Sequence, residues 1–409
     1  MHCDSKWLAA RAAWLCWSAA LWIGVTGATA GAGRVPANEN EVVALVRPRG
    51  GSQLELELES LGRQLRDSPG DVEASVRLVR NCLELDRLSP DPRWLGQAMT
   101  ALEPWSTKTG APTEIRLVQA LLRQRSHDFE GALNDLDAVV AVAPRNAEAW
   151  LVKSTVHAVR GELDPARRAA AALVRIADPI TSATAMATVA SLSGSAERSC
   201  ELMERLLPVA ARAPVAQRVW MLTQLAETRE RLGQVSAAER AFRDGLALAP
   251  RDPYLNGALA DLLLRSGRAG EVPPLLESFP ANDSLLLRVA EARRRLHQTG
   301  SSFAALAKRL GDAFAIQAAR GERVHRREEA RFQLCVLGDA DLALKLAREN
   351  WEIQREPADL LLLQEAAVAM RSEPDLRRVR DWVAATHLED VRLQSVERLV
   401  AAKSTEVHP

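Results

Sequence analysis

Aromatic side chains are scarce in this sequence. They make up 4% of its 409 residues, with a single tyrosine, although hydrophobic residues reach 47%. Large β-sandwiches and barrels rely on aromatic and β-branched strands, so the composition argues against a β-rich fold. The chain is instead rich in Ala, Leu, Arg and Glu, which are strong helix formers. The composition therefore predicts an all-α protein.

An excess of charge of either sign is also missing, because 53 basic residues are balanced by 53 acidic ones. A neutral balance provides no overall attraction to nucleic acid or to anionic lipid. Three stretches are rich in Arg, at 293–295, 320–331 and 377–380. The middle one is interleaved with glutamates, which is typical of a solvated helix face. We therefore predict no nucleic-acid partner.

Catalytic and metal-binding motifs are missing as well. No C-x-x-C pair occurs, and the histidines show no H-E-x-x-H spacing or other metal-ligand spacing. The chain has no nucleophile elbow and no phosphate loop. The sequence thus predicts no catalytic residue, no cofactor and no metal site, and a protein that is not an enzyme.

The first 30 residues have the composition of an export signal. Lys6 and Arg11 precede an apolar run over 12–26, and small residues follow it, ending in Ala28-Thr29-Ala30. This order predicts a secretory signal peptide over 1–30. The alternative is an uncleaved membrane anchor, because small residues lengthen the apolar run. Residues 31–52 are rich in Pro, Gly and Asn and are interpreted as a linker.

A repeat of 34 residues organises most of the remaining chain. Small residues recur in register at Ala98, Ala132, Ala166 and Cys200, and the series resumes after a four-residue slip at Ala238 and then Val272. Such a position is expected where two antiparallel helices approach closely. Further positions of the same frame carry turn and stop residues, namely Gly161, Ser195, Gly233 and Gly267 in the turn between helices, and Pro144 and Pro250 at the end of a unit.

These positions resemble the tetratricopeptide repeat (TPR) family, most strongly over 113–180 and 219–270. The resemblance implies a right-handed superhelical solenoid of antiparallel helix pairs, which we place over 53–403 with a tail at 404–409. The flanks predict further pairs of helices and a terminal helix near 388–403. The pairs are 53–67 with 71–87, 284–298 with 302–316, 324–337 with 340–355, and 358–371 with 374–386. Because each repeat of a solenoid contacts only its neighbours, Cys82, Cys200 and Cys335 are predicted to be buried free thiols.

The stretch 338–359 contains Ala343-Leu344, Leu346-Ala347, Asn350-Trp351 and Glu356-Pro357. With these residues it is similar to a group of uncharacterised exported bacterial TPR proteins. That similarity implies a bacterial protein exported to the periplasm of a Gram-negative cell. If the N-terminal segment is not cleaved, its apolar run would instead anchor the protein in the inner membrane, facing the periplasm.

The resemblance also implies a concave groove formed by the first helix of each pair. The residues predicted to contact a protein or peptide partner there are Trp220, Tyr254, Leu117, Leu151, Leu121, Thr223, Glu227 and Asp261. Trp220 and Tyr254 are interpreted as interface anchors, with the alternative that they pack between repeats. The Lys, Asn and Arg clamp with which chaperone-binding family members hold a peptide carboxylate is missing from these positions.

These observations lead to three hypotheses. The first is an exported scaffold or adaptor that binds a protein or peptide partner in its groove without catalysis. The second is an envelope assembly factor anchored in the inner membrane. The third is an enzyme with a site in the irregular region 284–356.

Overall fold

The computed structural model describes residues 52–106, 110–319 and 326–393, and within these ranges it contains helices and no strand. The predicted signal peptide, the linker up to residue 51, the terminal helix beyond residue 393 and the tail lie outside these residues. The α-helices are α1 (Gln53–Asp67), α2 (Val72–Leu88), α3 (Pro92–Ser106), α4 (Thr113–Arg125), α5 (Phe129–Val142), α6 (Ala147–Val159), α7 (Leu163–Leu173), α8 (Pro179–Ser191), α9 (Ala196–Ala210), α10 (Val215–Arg231), α11 (Val235–Leu248), α12 (Pro253–Arg265), α13 (Val272–Leu276), α14 (Asp283–Arg295), α15 (Ser301–Ala319), α16 (Arg326–Phe332), α17 (Ala340–Trp351), α18 (Pro357–Ala369) and α19 (Glu373–Thr386). A 3₁₀ turn (Ala269–Glu271) precedes α13, and a π-helical turn (Gln333–Leu337) follows α16.

From α2 onward the helices pack in antiparallel pairs, and the first helix of one pair packs on the first helix of the next. This arrangement confirms the all-α, TPR-like solenoid. At the N-terminal end the predicted pairing is wrong, because α2 pairs with α3 and α1 packs on α2 as an additional helix. The region 284–356 is less irregular than its sequence indicates, since α14 to α17 form two further pairs.

The register of small residues is confirmed by burial. All six side chains of the series are fully buried, and they lie in the second helices of successive pairs, namely Ala98, Ala132, Ala166, Cys200, Ala238 and Val272. A larger side chain at these positions would force the two helices of a pair apart, and overpacking a filled core costs about 1–3 kcal/mol. The tight contact between paired helices therefore explains the repeat in the sequence.

The turns within the pairs explain the recurring glycines. Gly161, Gly233 and Gly267 have φ values of 74°, 76° and 75°, in the left-handed region that favours glycine. In the pair α8/α9 this conformation belongs to Gly194, with φ of 76°, and not to Ser195, which the repeat frame places in the turn. The turn is therefore one residue earlier than predicted.

The solenoid closes on itself, which the sequence does not predict. The C-terminal strap, which we define as residues 351–393, runs along the turns of four successive pairs. Backbone N–H of Arg355 donates to the carbonyl oxygen of Val159 at 2.7 Å, and Glu389 accepts from backbone N–H of Ala196 at 2.6 Å. Further contacts join Gln354 to His127, Trp382 to Gly161, His387 to Gly194, Val391 to Gly233, and Arg392 to Glu230.

The prediction that each repeat contacts only its neighbours is therefore wrong. The curvature of the array brings the last pairs opposite the turns of the first pairs, where backbone groups, glycines and ion pairs provide partners for the strap. The cysteines of the described residues are nonetheless free thiols, as predicted. Cys82 and Cys200 are buried, whereas Cys335 is only half-buried, because it lines a cavity described below.

A second contact across the array joins α2 to the start of α12. Arg87 forms an ion pair with Asp252 at 3.1 Å, and the same carboxylate accepts from backbone N–H of Leu255 as the N-cap of α12. Burial raises the pKa of Asp252 to about 6, against the opposing effect of Arg87. The folded protein therefore binds this proton more tightly than the unfolded chain does.

We expect Asp252→Asn to flatten the pH dependence of stability between about pH 4 and pH 6. In the wild type, the stabilising contribution of this carboxyl group is complete below its unfolded pKa of 3.8 and is lost as pH rises through about 6. Asparagine cannot titrate, yet it is an equally good N-cap. Thermal denaturation followed by circular dichroism at pH 4 to 7 checks this expectation, and equal slopes for both proteins would contradict it.

Candidate partner-binding face

The concave face of the array carries two columns of charge. Each of the first helices α10, α12 and α14 has an acidic residue followed four residues later by an arginine, a spacing that puts both on one helix face. The acidic column is Glu227, Asp261 and Glu291, and the arginine column is Arg231, Arg265 and Arg295. The three acidic residues occupy equivalent positions of consecutive repeats, and so do the three arginines. Each column therefore runs from one helix to the next, and the two columns lie side by side.

Two neighbouring cavities separate this face from the C-terminal helices. The larger has a volume of about 190 Å³ and is lined by both columns together with residues of α16 and α18. The smaller has a volume of about 90 Å³ and lies between α6, α8 and α10, and Glu356 and Pro357 also line it. Glu227, Arg231 and Tyr254 line both cavities. The C-terminal helices thus cover the concave face, and the two cavities remain between them.

The helix α16 provides the main ionic contact to this face. Arg331 binds Asp261 at 2.7 Å and Glu291 at 2.8 Å, so one guanidinium joins two helices of the concave face. Arg288 and Arg295 complete the coordination of the two carboxylates, at 2.8 Å from Asp261 and 2.6 Å from Glu291. Burial raises the pKa of Asp261, but the surrounding guanidiniums outweigh it and hold that pKa well below its usual value.

The charged residues of the columns are paired differently on α10 than on α12 and α14. Glu230 takes the ion pairs here, with Arg265 at 2.5 Å and Arg392 at 3.1 Å. Glu227 has no arginine partner among the described residues, and instead it accepts hydrogen bonds from the Tyr254 hydroxyl and from Gln224. Burial raises the pKa of the Glu227 carboxyl group. The charge columns are therefore neutralised at α12 and α14 but not at α10.

The eight residues predicted from the sequence fall into two groups. Glu227, Tyr254 and Asp261 are half-buried and line the larger cavity. The remaining five are less than a tenth exposed, namely Leu117, Leu121, Leu151, Trp220 and Thr223. Leu151 and Trp220 nevertheless line the smaller cavity. The structure thus brings four predicted residues (Leu151, Trp220, Glu227 and Tyr254) around one cavity, and their contact with a partner stays a prediction.

The arginine column and Glu291 are missed by the sequence analysis. A signal was present, because Glu227 and Arg231 recur after 34 residues as Asp261 and Arg265. The third pair comes only 30 residues later, since α13, the second helix of that repeat, has five residues. The short helix moves Glu291 and Arg295 out of the 34-residue frame and hides the third member of each column.

Within the described ranges, no group of His, Cys, Asp and Glu side chains is arranged to hold a metal ion. No helix among the same residues is long and apolar enough to cross a membrane.

Comparison with known proteins finds distant similarities only. No protein-family model matches the chain, and no curated protein matches it. Similar solved structures include PilW, a type IV pilus biogenesis factor, at 15% identity over 70% of this chain and 99% of PilW with a TM-score of 0.34. A tetratricopeptide repeat protein from Parabacteroides merdae ATCC 43184 is 13% identical over 77% of this chain and 99% of its own, with a TM-score of 0.37. Yeast Tom70 is 10% identical over 86% of each chain, with a TM-score of 0.39. These similarities are too distant to transfer a function.

Proposed function

We propose that this protein is a scaffold or adaptor that binds a protein or peptide partner at its concave face and catalyses no reaction. The observation that carries the proposal is the repeated acidic and arginine columns of α10, α12 and α14, which line a cavity of about 190 Å³. A repeated pattern of charge on consecutive helices suits a partner that extends along the array. Repeat arrays expose such extended concave surfaces for binding.

Tyr254 is the residue of this face on which we expect partner binding to depend most. It is the only tyrosine of the chain, it lies half-buried between the two cavities, and it contacts Glu227 through its hydroxyl. Tyrosine is enriched among the residues that dominate interface energies. Trp220 is the second predicted anchor, but only 3% of its surface is exposed, so a substitution there would disturb packing as well as binding.

The test is crosslinking in the native host, followed by affinity purification and mass spectrometry. We expect Tyr254→Ala to reduce recovery of one dominant partner by about tenfold or more, since loss of an interface anchor costs about 2 kcal/mol. Arg240→Met on the convex helix α11, where the side chain is exposed, is the matched control and should leave recovery unchanged. Equal recovery of all partners with wild type and Tyr254→Ala, both folded by circular dichroism, would refute binding at this face.

We further propose that the protein acts outside the cytoplasm, in the periplasm of a Gram-negative bacterium. The proposal is supported by the sequence of residues 1–30, with Lys6 and Arg11 before the apolar run and Ala28-Thr29-Ala30 after it. N-terminal sequencing of the mature protein separates this form from the membrane-anchored alternative. A start near Gly31 excludes the anchor, whereas an intact N-terminus in the membrane fraction supports the envelope assembly factor.

The hypothesis of an enzyme with a site over 284–356 has less support. Carboxylates of this region that face the larger cavity are engaged by arginines, as Glu291 is by Arg295 and Arg331. These carboxylates therefore already have partners within the chain and are not free to contact a substrate.

A further inference from the structure

We infer that Arg231 forms a carboxylate-binding subsite where the two cavities meet, and that this subsite holds an acidic side chain or a C-terminal carboxylate of the bound peptide. The inference rests on the proposed function, since it names the chemistry of the partner. It comes from a difference between equivalent arginines. Arg265 and Arg295 each bind a carboxylate, whereas Arg231 has none within 4.0 Å among the described residues.

The surroundings of Arg231 leave its charge without a counter-ion. The side chain is 5% exposed, and one terminal nitrogen donates to the hydroxyls of Ser191 at 2.7 Å and Thr228 at 3.2 Å. Its Nε has no hydrogen-bond partner within the part of the chain that the structure describes. Buried charges are normally paired, because the desolvation of an unpaired ion costs several kcal/mol. Glu227, Asp390 and Arg392 act on Arg231 electrostatically, and no ion pair forms between Arg231 and any of them.

A second unpartnered donor faces the smaller cavity. Trp220 is 3% exposed and lines that cavity together with Arg231, and its indole Nε1 has no hydrogen-bond partner among residues 52–106, 110–319 and 326–393. Buried donors in folded proteins nearly always have an acceptor. Trp220 and Arg231 are 11 residues apart on α10, which corresponds to about 16 Å along the helix axis. An extended peptide of about five residues covers that length.

The arrangement therefore fits a peptide that lies along α10. Its carboxylate would bind Arg231, and a backbone carbonyl would accept from the Trp220 indole. Gln224 and Glu227 lie between these donors on the same helix face and also line the cavity. The smaller cavity has a volume of about 90 Å³, which is less than that of such a peptide, so residues that line it must move when the peptide binds.

Three short peptides test the subsite in the full chain by isothermal titration. The first, N-acetyl-Ala-Ala-Ala-Ala-Ala, has a free C-terminal carboxylate, the second is its C-terminal amide, and the third, N-acetyl-Ala-Ala-Ala-Ala-Asp-Ala amide, has only a side-chain carboxylate. We expect at least one carboxylate-bearing peptide to bind at least tenfold more tightly than the amide. The stronger of the two identifies the source of the carboxylate. Arg231→Met should abolish that preference, whereas Arg240→Met should retain it.

The stability of the variant gives an independent readout. Arg231→Met should melt at a higher temperature than the wild type, because it removes an unpaired buried charge. Ser191 and Thr228 keep their own hydrogen bonds to backbone carbonyls, so the substitution leaves no new unsatisfied donor. Trp220→Phe, which removes only the N–H group, should weaken peptide binding by a few-fold without abolishing the preference for a carboxylate.

The inference is overturned if no peptide binds, if the acid and amide forms bind equally, or if Arg231→Met keeps the preference. Should Arg231→Met fail to fold, Arg231→Gln removes the charge but keeps a hydrogen-bond donor, and an unchanged preference for the carboxylate in that variant also overturns the inference. The proposed function fails separately. If no peptide shows a preference for the carboxylate but partner capture still depends on Tyr254, only the subsite is refuted. If the peptides show that preference but partner capture does not depend on Tyr254, the proposed scaffold function is refuted.

Discussion

Replacing Gly161 with alanine is expected to cost about 3 kcal/mol of folding free energy, well above the cost of the same change at Gly267. Both glycines have left-handed φ values, 74° and 75°, so both substitutions carry the same backbone cost of about 1–2 kcal/mol. At Gly267 a new Cβ meets no atom within 4 Å. At Gly161 it would lie 2.4 Å from Cη2 of Trp382, and such overpacking adds about 1–3 kcal/mol.

The comparison measures how firmly the C-terminal strap is attached. Trp382 also packs edge-on against Trp351 at 5.2 Å, and Arg355 lies over its ring at 5.5 Å, so it cannot withdraw without losing these contacts. Urea denaturation of the two alanine variants gives the difference. Trp382→Ala should lower the cost of Gly161→Ala to nearly that of Gly267→Ala, because the clash with the indole then disappears and only the 3.2 Å approach to Cβ of Arg355 remains. Equal costs for the two glycines in the wild-type background would show that the strap does not rest on this turn.

The repeat register could be predicted from the sequence because a local constraint sets it. The contact between paired helices allows only small side chains, so Ala132, Ala166 and Ala238 recur whatever the rest of the chain does. The left-handed turn leaves an equally local signal in Gly161 and Gly233. Helix boundaries followed from the same signals, and most predicted pairs agree with the structure to within a few residues.

The closure of the array could not be predicted in this way. The contacts that produce it join residues far apart in sequence, such as His127 with Gln354 and Glu230 with Arg392. No periodic pattern relates these residues, and single hydrogen bonds or ion pairs leave no trace in composition. The burial of predicted groove residues such as Leu117 and Thr223 follows from the same tight curvature, which depends on the sum of small rotations between repeats.

Replacing Arg331 with methionine is expected to destabilise the protein by about 3 kcal/mol at pH 7. The guanidinium bridges the half-buried Asp261 on α12 and the buried Glu291 on α14, so its removal leaves each carboxylate with one arginine contact fewer. Removing one partner of a buried ion pair costs about 3–5 kcal/mol. Arg288 and Arg295 remain in place and keep the cost near the lower limit. Urea denaturation at pH 7 measures it, and the exposed Arg240→Met serves as the matched control.

The pH dependence separates lost charge pairing from lost packing. The pKa of Asp261 is held below its unfolded value of 3.8, so its ionised form stabilises the fold above that pH and the contribution is lost as pH falls below it. The difference between wild type and Arg331→Met should therefore be largest above about pH 5 and shrink below about pH 4, where the carboxylates of the unfolded chain are protonated. A difference that stays constant from pH 7 to pH 3 would mean that Arg331 acts through its aliphatic contacts, and that the ionic link between α16 and the concave face adds no stability.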